Sequence, residues 1–295
     1  MSAIADVEIE AAGALHADRQ VARRELIREL LHSPAFVIGA FILLVWIICA
    51  IFGSAIAPHS PYAQSLLGIN KAPSSAHPFG TDQLGRDMLS RVIVGSRDIL
   101  VIAPLATLLG TVLGTAVGLV MGYYRGIVDD VLGRVVEAFL ALPLIVTAVV
   151  AIAALGTSNA TLIIVIGLVF TPLIARTVRA AVLQERDLDY VAAARLRGEG
   201  SLYIMFAEIL PNVFSPIVVE FTVRLAYAIF TVLTLTFLGF GVQPPSPDWG
   251  LDIATNYGVV SAGYWWEVLF DALAIASLVV AVTLVSESIE GVLER

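Results

Sequence analysis

Long apolar runs broken by short charged stretches set the plan of this chain. Six runs stand out, at about 35–57, 98–123, 135–156, 160–179, 213–241 and 268–289. A helix needs about 20 apolar residues to cross a bilayer, and each run reaches that length. Backbone polar groups inside a bilayer must satisfy one another, which a helix does within a single segment. The pattern therefore predicts an all-α integral membrane protein with six transmembrane helices. The first 30 residues are rich in Glu, Asp and Arg and show no cleavable signal pattern, so the first run is expected to stay in the membrane. The third and fourth runs are joined by the short polar turn Gly156 to Asn159.

Three zones follow from the pattern. Residues 1–34 form an N-terminal segment in which Arg19 to His32 mixes charges with Val21, Leu26, Ile27, Leu30 and Leu31, as an amphipathic helix on the membrane surface would. Residues 35–97 hold the first span and an external segment. Residues 98–295 hold five further spans and a charged insert at about 184–212. Loop Lys and Arg residues set orientation. With both termini cytoplasmic, the inner segments carry twelve: Arg19, Arg23, Arg24, Arg28, Arg125, Arg134, Arg176, Arg179, Arg186, Arg195, Arg197 and Arg295. The outer segments carry four: Lys71, Arg86, Arg91 and Arg97.

Composition agrees with this plan. The chain is 58 % hydrophobic and 14 % charged, against about 25 % charged in ordinary soluble domains. A net charge of −8 argues against nucleic acid as a partner. Cys49 is the one cysteine, so no internal disulfide forms. Lys71 is the one lysine, and a Walker loop needs Gly-Lys-Ser/Thr, so a P-loop ATPase is excluded. The four histidines, at 16, 32, 59 and 77, make no H-E-x-x-H motif and no metal site is expected. Charges inside spans are Glu137, Glu220, Arg224, Asp271 and Glu287. Glu220 and Arg224 are spaced to pair on one helix face; the other three are expected near span ends, in reach of water.

Two segments carry more than hydropathy. Gly110, Gly114, Gly118 and Gly122 recur every fourth residue, with Gly126 beyond, and lay a bare stripe along one helix face. The stripe serves static packing or a helix that slides during gating. The stretch DLDYVAAARLRGEGSLYIMFAEILPN, Asp187 to Asn212, predicts a helix over Tyr190 to Leu196, a break at Gly198 and Gly200, and a second helix from Leu202 to Leu210. Pro211 bends the entry to the fifth span.

This stretch resembles the cytoplasmic signature of importer permeases of the ATP-binding-cassette (ABC) superfamily. Ala193, Ala194, Gly198, Leu210 and Pro211 fit it, while Ala192 and Glu208 depart from it. HPFGTDQLGRDMLSRVIVGSR (His77 to Arg97), GYYRG (Gly122 to Gly126) with Asp129, and TFLGFGVQPPSPDWG (Thr236 to Gly250) are similar to segments of C-type subunits of dipeptide, oligopeptide and nickel permeases. The resemblance implies a type I ABC importer permease fold in a bacterial inner membrane. It implies a second homologous permease subunit, two ATPase subunits carrying ATP and Mg, an extracytoplasmic substrate-binding protein and a lipid surround, with no cofactor on this chain and no catalysis by it. The implied cargo is di- or oligopeptides, with nickel or glutathione as alternatives. Asp189, Tyr190, Ala193, Ala194, Gly198, Leu210 and Pro211 are the expected ATPase-coupling residues. Gly80, Thr81 and Asp82 read as a turn and helix cap, with Asp87 in the first turns. Asp82, Arg86, Asp87 and Arg91 then either face the binding protein or form a lid held by local ion pairs. A secondary transporter driven by an ion gradient is the rival; it calls for midplane acids and inverted repeats.

Overall fold

The computed structural model describes residues 28–293. Most of the N-terminal amphipathic segment predicted at 19–32 lies outside them. The described chain is helical, with one isolated β-bridge between Thr81 and Asp87. Helix α1 is Pro34–Ile56, capped by Ser33, whose side chain accepts from the Phe36 N–H. Helix α2 runs unbroken from Met88 to Tyr124, 37 residues. Two shorter helices, α3 (Gly126–Leu140) and α4 (Leu144–Leu155), precede α5 (Asn159–Glu185). A short helix α6 (Asp189–Leu196) leads through an irregular helical segment, 201–212, into α7 (Phe214–Phe237). Helix α8 (Trp249–Asn256) and helix α9 (Trp266–Leu293) complete the chain.

Five of these helices are long and apolar enough to cross a membrane, namely α1, α2, α5, α7 and α9. The sixth predicted span, 135–156, is a bent pair. Helices α3 and α4 meet at 88° across the break at 141–143. Pro143 supplies no backbone N–H, and its ring disfavours a helical Leu142, so the helix must stop there. The apolar run also hides where the segment begins, since α3 starts at Gly126. The second span differs too. Asp87 is its N-cap, accepting from the Ser90 N–H at 2.9 Å, so Thr81 and Asp82 lie in the turn before it.

Helix α2 lies along α5, and the glycine stripe is the contact. A Cβ added at Gly114 would stand 2.7 Å from Ile174 Cβ; at Gly118, 2.7 Å from the Ala175 carbonyl oxygen; at Gly122, 2.6 Å from Val182 Cγ1. Gly110 faces Gly167 and Phe170 in the same way. Gly126 is outside the contact and instead takes a positive φ of 59° at the start of α3. Ile102, Ala106, Ile166, Phe170, Ile174 and Val178 fill the seam around the stripe. Helix α1 packs on α9, with Gly39 against the Ala281 carbonyl and Trp46 donating to Ser277 Oγ at 2.9 Å. Its other face shows Phe41, Leu44, Ile51 and Phe52 outward, an apolar surface for lipid.

Two predictions follow from this packing. Gly118→Val places a branched side chain where a backbone carbonyl already sits. Overpacking of this kind costs about 1–3 kcal/mol, and thermal unfolding of the purified chain in detergent should show a clear drop in midpoint, against little change for Gly126→Asn. The second concerns α8, whose N-cap is Asp248, accepting from Leu251 N–H at 3.0 Å. Burial pushes the Asp248 carboxyl up to about 7. An acid whose pKa rises on folding favours the fold while protonated, and that contribution is lost as pH climbs through about 7. Asn caps as well as Asp without the charge, so Asp248→Asn should flatten the fall in melting temperature between pH 5 and 8 on the order of the wild-type Asp248 contribution.

Candidate functional site

The insert at 184–212 folds as a helix, a turn and a second helix. Leu188 ends the linker from α5, and α6 buries Val191 and Ala194 against the body of the protein. Gly198 takes a positive φ of 80°, which glycine adopts without strain, and reverses the chain. The second helix, 201–212, buries Ile204, Met205 and Ile209, and widens into a π-helical turn over Ile204–Ile209. Pro211 belongs to its last turn, and the helix breaks two residues later at Val213, before α7. Glu208, where the importer pattern has Ile, or His in the peptide branch, lies near the surface and pairs with Arg197 across the turn at 2.9 Å, an ion pair between the two short helices.

The base of this element is held by polar contacts. Arg186 donates to the Tyr123 carbonyl at 2.7 Å, tying the end of α5 to the last turn of α2. Asp187 accepts from Arg125 at 2.7 Å and from Arg186 at 3.1 Å, and these partners hold its carboxyl below the usual range against the opposing effect of desolvation. Tyr190 donates to Glu185 at 2.8 Å; burial and that carboxylate push its hydroxyl up to about 12, so it remains a donor at neutral pH. Arg186 was not among the predicted coupling residues. The Arg-Asp pair directly after a long helix is the sequence signal that marks it. Facing away from this base, Leu188, Ala192, Ala193, Leu196, Leu202 and Phe206 are exposed, Leu196 by 89 %. Asp189, Gly198 and Arg195 border them, also exposed.

At the opposite end of α2, Asp82, Arg86, Asp87 and Arg91 are all buried. Burial argues against the expectation of a contact face for a binding protein, and the local ion pairs of the other reading are present. Arg91 is fully buried and lies across Asp252 of α8, with Nε 2.9 and 3.0 Å from its two oxygens. It also donates to the Pro61 and Ser246 carbonyls. Asp82 accepts from Arg86 Nε at 2.5 Å and from the Leu84 and Arg86 N–H groups. Trp249 donates to the Val92 carbonyl and Trp266 to that of Thr81. Asp252, 161 residues from Arg91, carries no local signal of this role. Asp271, expected near water at a span end, is fully buried beside this cluster, while Glu137 and Glu287 are exposed on the surface of the chain.

Midway along α7, Arg224 bonds Glu220 at 2.6 Å, as the spacing predicts. Arg224 lies over the Tyr227 ring at 5.4 Å. A 360 Å³ cavity opens beside them, lined by Leu144, Ile145, Phe170, Arg224, Tyr227, Phe230, Thr231 and Thr234. Nothing in these arrangements resembles a nucleophile with its base. They are a buried clamp, an exposed knob on a hydrogen-bonded base and a notch beside a charged pair in a membrane helix.

Comparison with known proteins gives the family. Residues 114–295 match the family described as binding-protein-dependent transport system inner membrane component, and residues 23–73 match the N-terminal TM domain of oligopeptide transport permease C. The dipeptide transport system permease protein DppC of Escherichia coli is 38 % identical over 264 residues, 88 % of each chain. The di/tripeptide transport system permease protein DppC of Pseudomonas aeruginosa is 34 % identical over 277 residues, 92 % of this chain and 91 % of that one. A chain of the MetNI methionine ABC transporter shares the fold, with a TM-score of 0.58 at 20 % identity over 70 % of this chain and 98 % of that one. The chain therefore belongs to the binding-protein-dependent transport inner-membrane family and is a multi-pass, C-type permease subunit of an ABC importer.

Proposed function

We propose that this subunit forms half of a translocation pathway for di- or oligopeptides across a bacterial inner membrane, with both termini cytoplasmic. A second, homologous permease forms the other half. Two ATPase subunits bind ATP and Mg, and an extracytoplasmic binding protein delivers the peptide. This chain binds no nucleotide and breaks no bond; it changes shape. The peptide cargo is supported by the DppC relatives, which align along nearly their whole length.

The observation that carries the reading is the exposed face of α6 and the segment after it. Leu188, Leu196, Leu202 and Phe206 stand in water on a base fixed by Arg186, Asp187 and Tyr190. Exposed apolar side chains grouped on a rigid support mark a protein-protein contact. A groove on an ATPase is the partner that fits. Closure of the ATPase pair then moves the knob, and the membrane helices exchange between two arrangements that ATP biases.

The pathway itself is assigned to the α7 face that carries Glu220, Arg224 and Tyr227. Arg224 is ten residues beyond Phe214, about 15 Å along the helix, so it stands near mid-membrane. A charge facing lipid there costs at least about 2.5–3.5 kcal/mol. The pair and the notch beside it belong against the second permease or the aqueous path, away from lipid.

Two measurements test this. In the complete complex in lipid vesicles, Leu196→Glu should insert and fold normally yet lose ATP hydrolysis stimulated by peptide-loaded binding protein. Loss of a central anchor is worth about 2 kcal/mol or more, about 30-fold in affinity. Stimulation equal to wild type would place the ATPase contact elsewhere. For the pathway, Tyr227→Cys on a Cys49→Ser background should react with a charged thiol reagent faster than Phe41→Cys on the outer face of α1. Equal, slow rates at both would return the notch to lipid or to a sealed interface.

A further inference from the structure

Three metal-ligating side chains converge at the start of α2, and the transport reading uses none of them. His59 follows α1, His77 lies in the loop between α1 and α2, and Asp87 is the α2 N-cap. Their ligand atoms all lie within 4.8 Å of one another. His77 Nδ1 is 2.8 Å from Asp87 Oδ1, and His59 Nδ1 is 3.7 Å from the same oxygen. The centroids of the two imidazole rings are 4.8 Å apart, with the planes tilted by 37°. This grouping departs from the expectation of scattered, unremarkable histidines, because residues 18 positions apart in sequence are brought together by the loop that the Arg91 clamp holds.

We propose that His59, His77 and Asp87 bind a divalent transition ion of the Zn²⁺ class, with a fourth position open to water. Two imidazoles and one carboxylate are a donor set that suits zinc and its neighbours and does not suit calcium or magnesium. Four ligands at about 2.0–2.2 Å around a tetrahedral ion stand about 3.4 Å apart. The two histidine distances to Asp87 straddle that value, so small side-chain rotations complete the geometry. Hydrogen bonding accounts for only one of the two histidines: His77 bonds Asp87 Oδ1 at 2.8 Å, while 3.7 Å is too long for a hydrogen bond from His59.

The carboxylate is divided between two tasks. Asp87 Oδ2 accepts from the Ser90 N–H at 2.9 Å and from Ser90 Oγ at 2.6 Å, which caps the helix. Oδ1 is turned to the histidines. Ser90 Oγ also accepts from the His59 backbone N–H at 3.1 Å. One serine therefore orients one ligand and anchors a second, the outer-shell arrangement that metal sites depend on. Exposure grades across the site, from Asp87 at 2 % through His77 at 26 % to His59 at 45 %. An ion enters from the solvent side and ends against a fixed carboxylate. Bound there, it joins three separate stretches of chain at one point.

The test is Zn²⁺ titration of the full-length chain, purified in detergent with the subunits that accompany it, in competition with a chromogenic chelator. The expected result is one ion per chain that is lost in a His59→Ala/His77→Ala double variant, which controls for His16 and His32. His59→Ala, at an exposed position that leaves the helix cap intact, should alone weaken binding at least about tenfold, and Ser90→Ala about tenfold through orientation. Co²⁺ should give the intense visible absorption of a four-coordinate site in the wild type and lose it in His59→Ala. Zn²⁺ affinity in His59→Ala equal to wild type, or wild-type binding no greater than the double variant, overturns the proposal. Circular dichroism confirms that each variant keeps its helices.

Discussion

Helices surrounded by lipid gain nothing by hiding apolar surface from water, because lipid is as apolar as they are. What draws two of them together is contact between atoms, and contact requires that nothing stand between the backbones. The seam between α2 and α5 meets that requirement with four glycines on one side and Gly167 on the other. Much of the rest is attached to it. Helices α1, α7 and α9 pack on the outside of α2 or on one another. The Arg91 clamp is built on its first turn, and the knob hangs from its last through Arg186 and the Tyr123 carbonyl.

Four ion pairs tie elements of this chain together at hydrogen-bonding distance: Arg91 with Asp252 and Arg86 with Asp82 in the buried clamp, and Arg224 with Glu220 and Arg179 with Asp129 at partly exposed positions. Asp271 and Glu267 are buried without a hydrogen-bonding partner of this kind. Buried ion pairs add little net stability over apolar packing, but removing one member strands the other and costs about 3–5 kcal/mol. They therefore fix where elements must meet. The Arg91 pair decides where α8 lies relative to α2, a choice that apolar contacts alone leave loose.

Much of this was legible in the sequence, and the failures have physical reasons. Hydropathy located five spans because a bilayer tests length and apolarity. It missed the 88° bend at Pro143 because the run 135–156 stays largely apolar through the break and by itself has a span's length. The glycine stripe was readable as a period of four; its partner Gly167 stands alone and shows no period. Gly198 was readable as a reversal because a positive φ selects glycine. The burial of Arg91 was not, since arginine in an outer segment reads as solvated unless its partner is known, and Asp252 lies 161 residues away. The histidine cluster was hidden for the same reason: proximity there is made by a loop's path.

The unbroken length of α2 has a mechanical consequence. Its 37 residues extend about 55 Å, farther than a bilayer's hydrocarbon is thick. One end is the cap residue of the clamp and the other carries the carbonyl that grips the knob. A single helix of this length is a rod, and a rod tilted at one end displaces the other. The Pro104 ring removes one backbone hydrogen bond inside it, which is the one built-in joint along its span. On the proposed coupling, a displacement of the knob would reach the clamp at the other end of α2 through one element, with the turn at Pro104 setting how much arrives as tilt and how much as flexure.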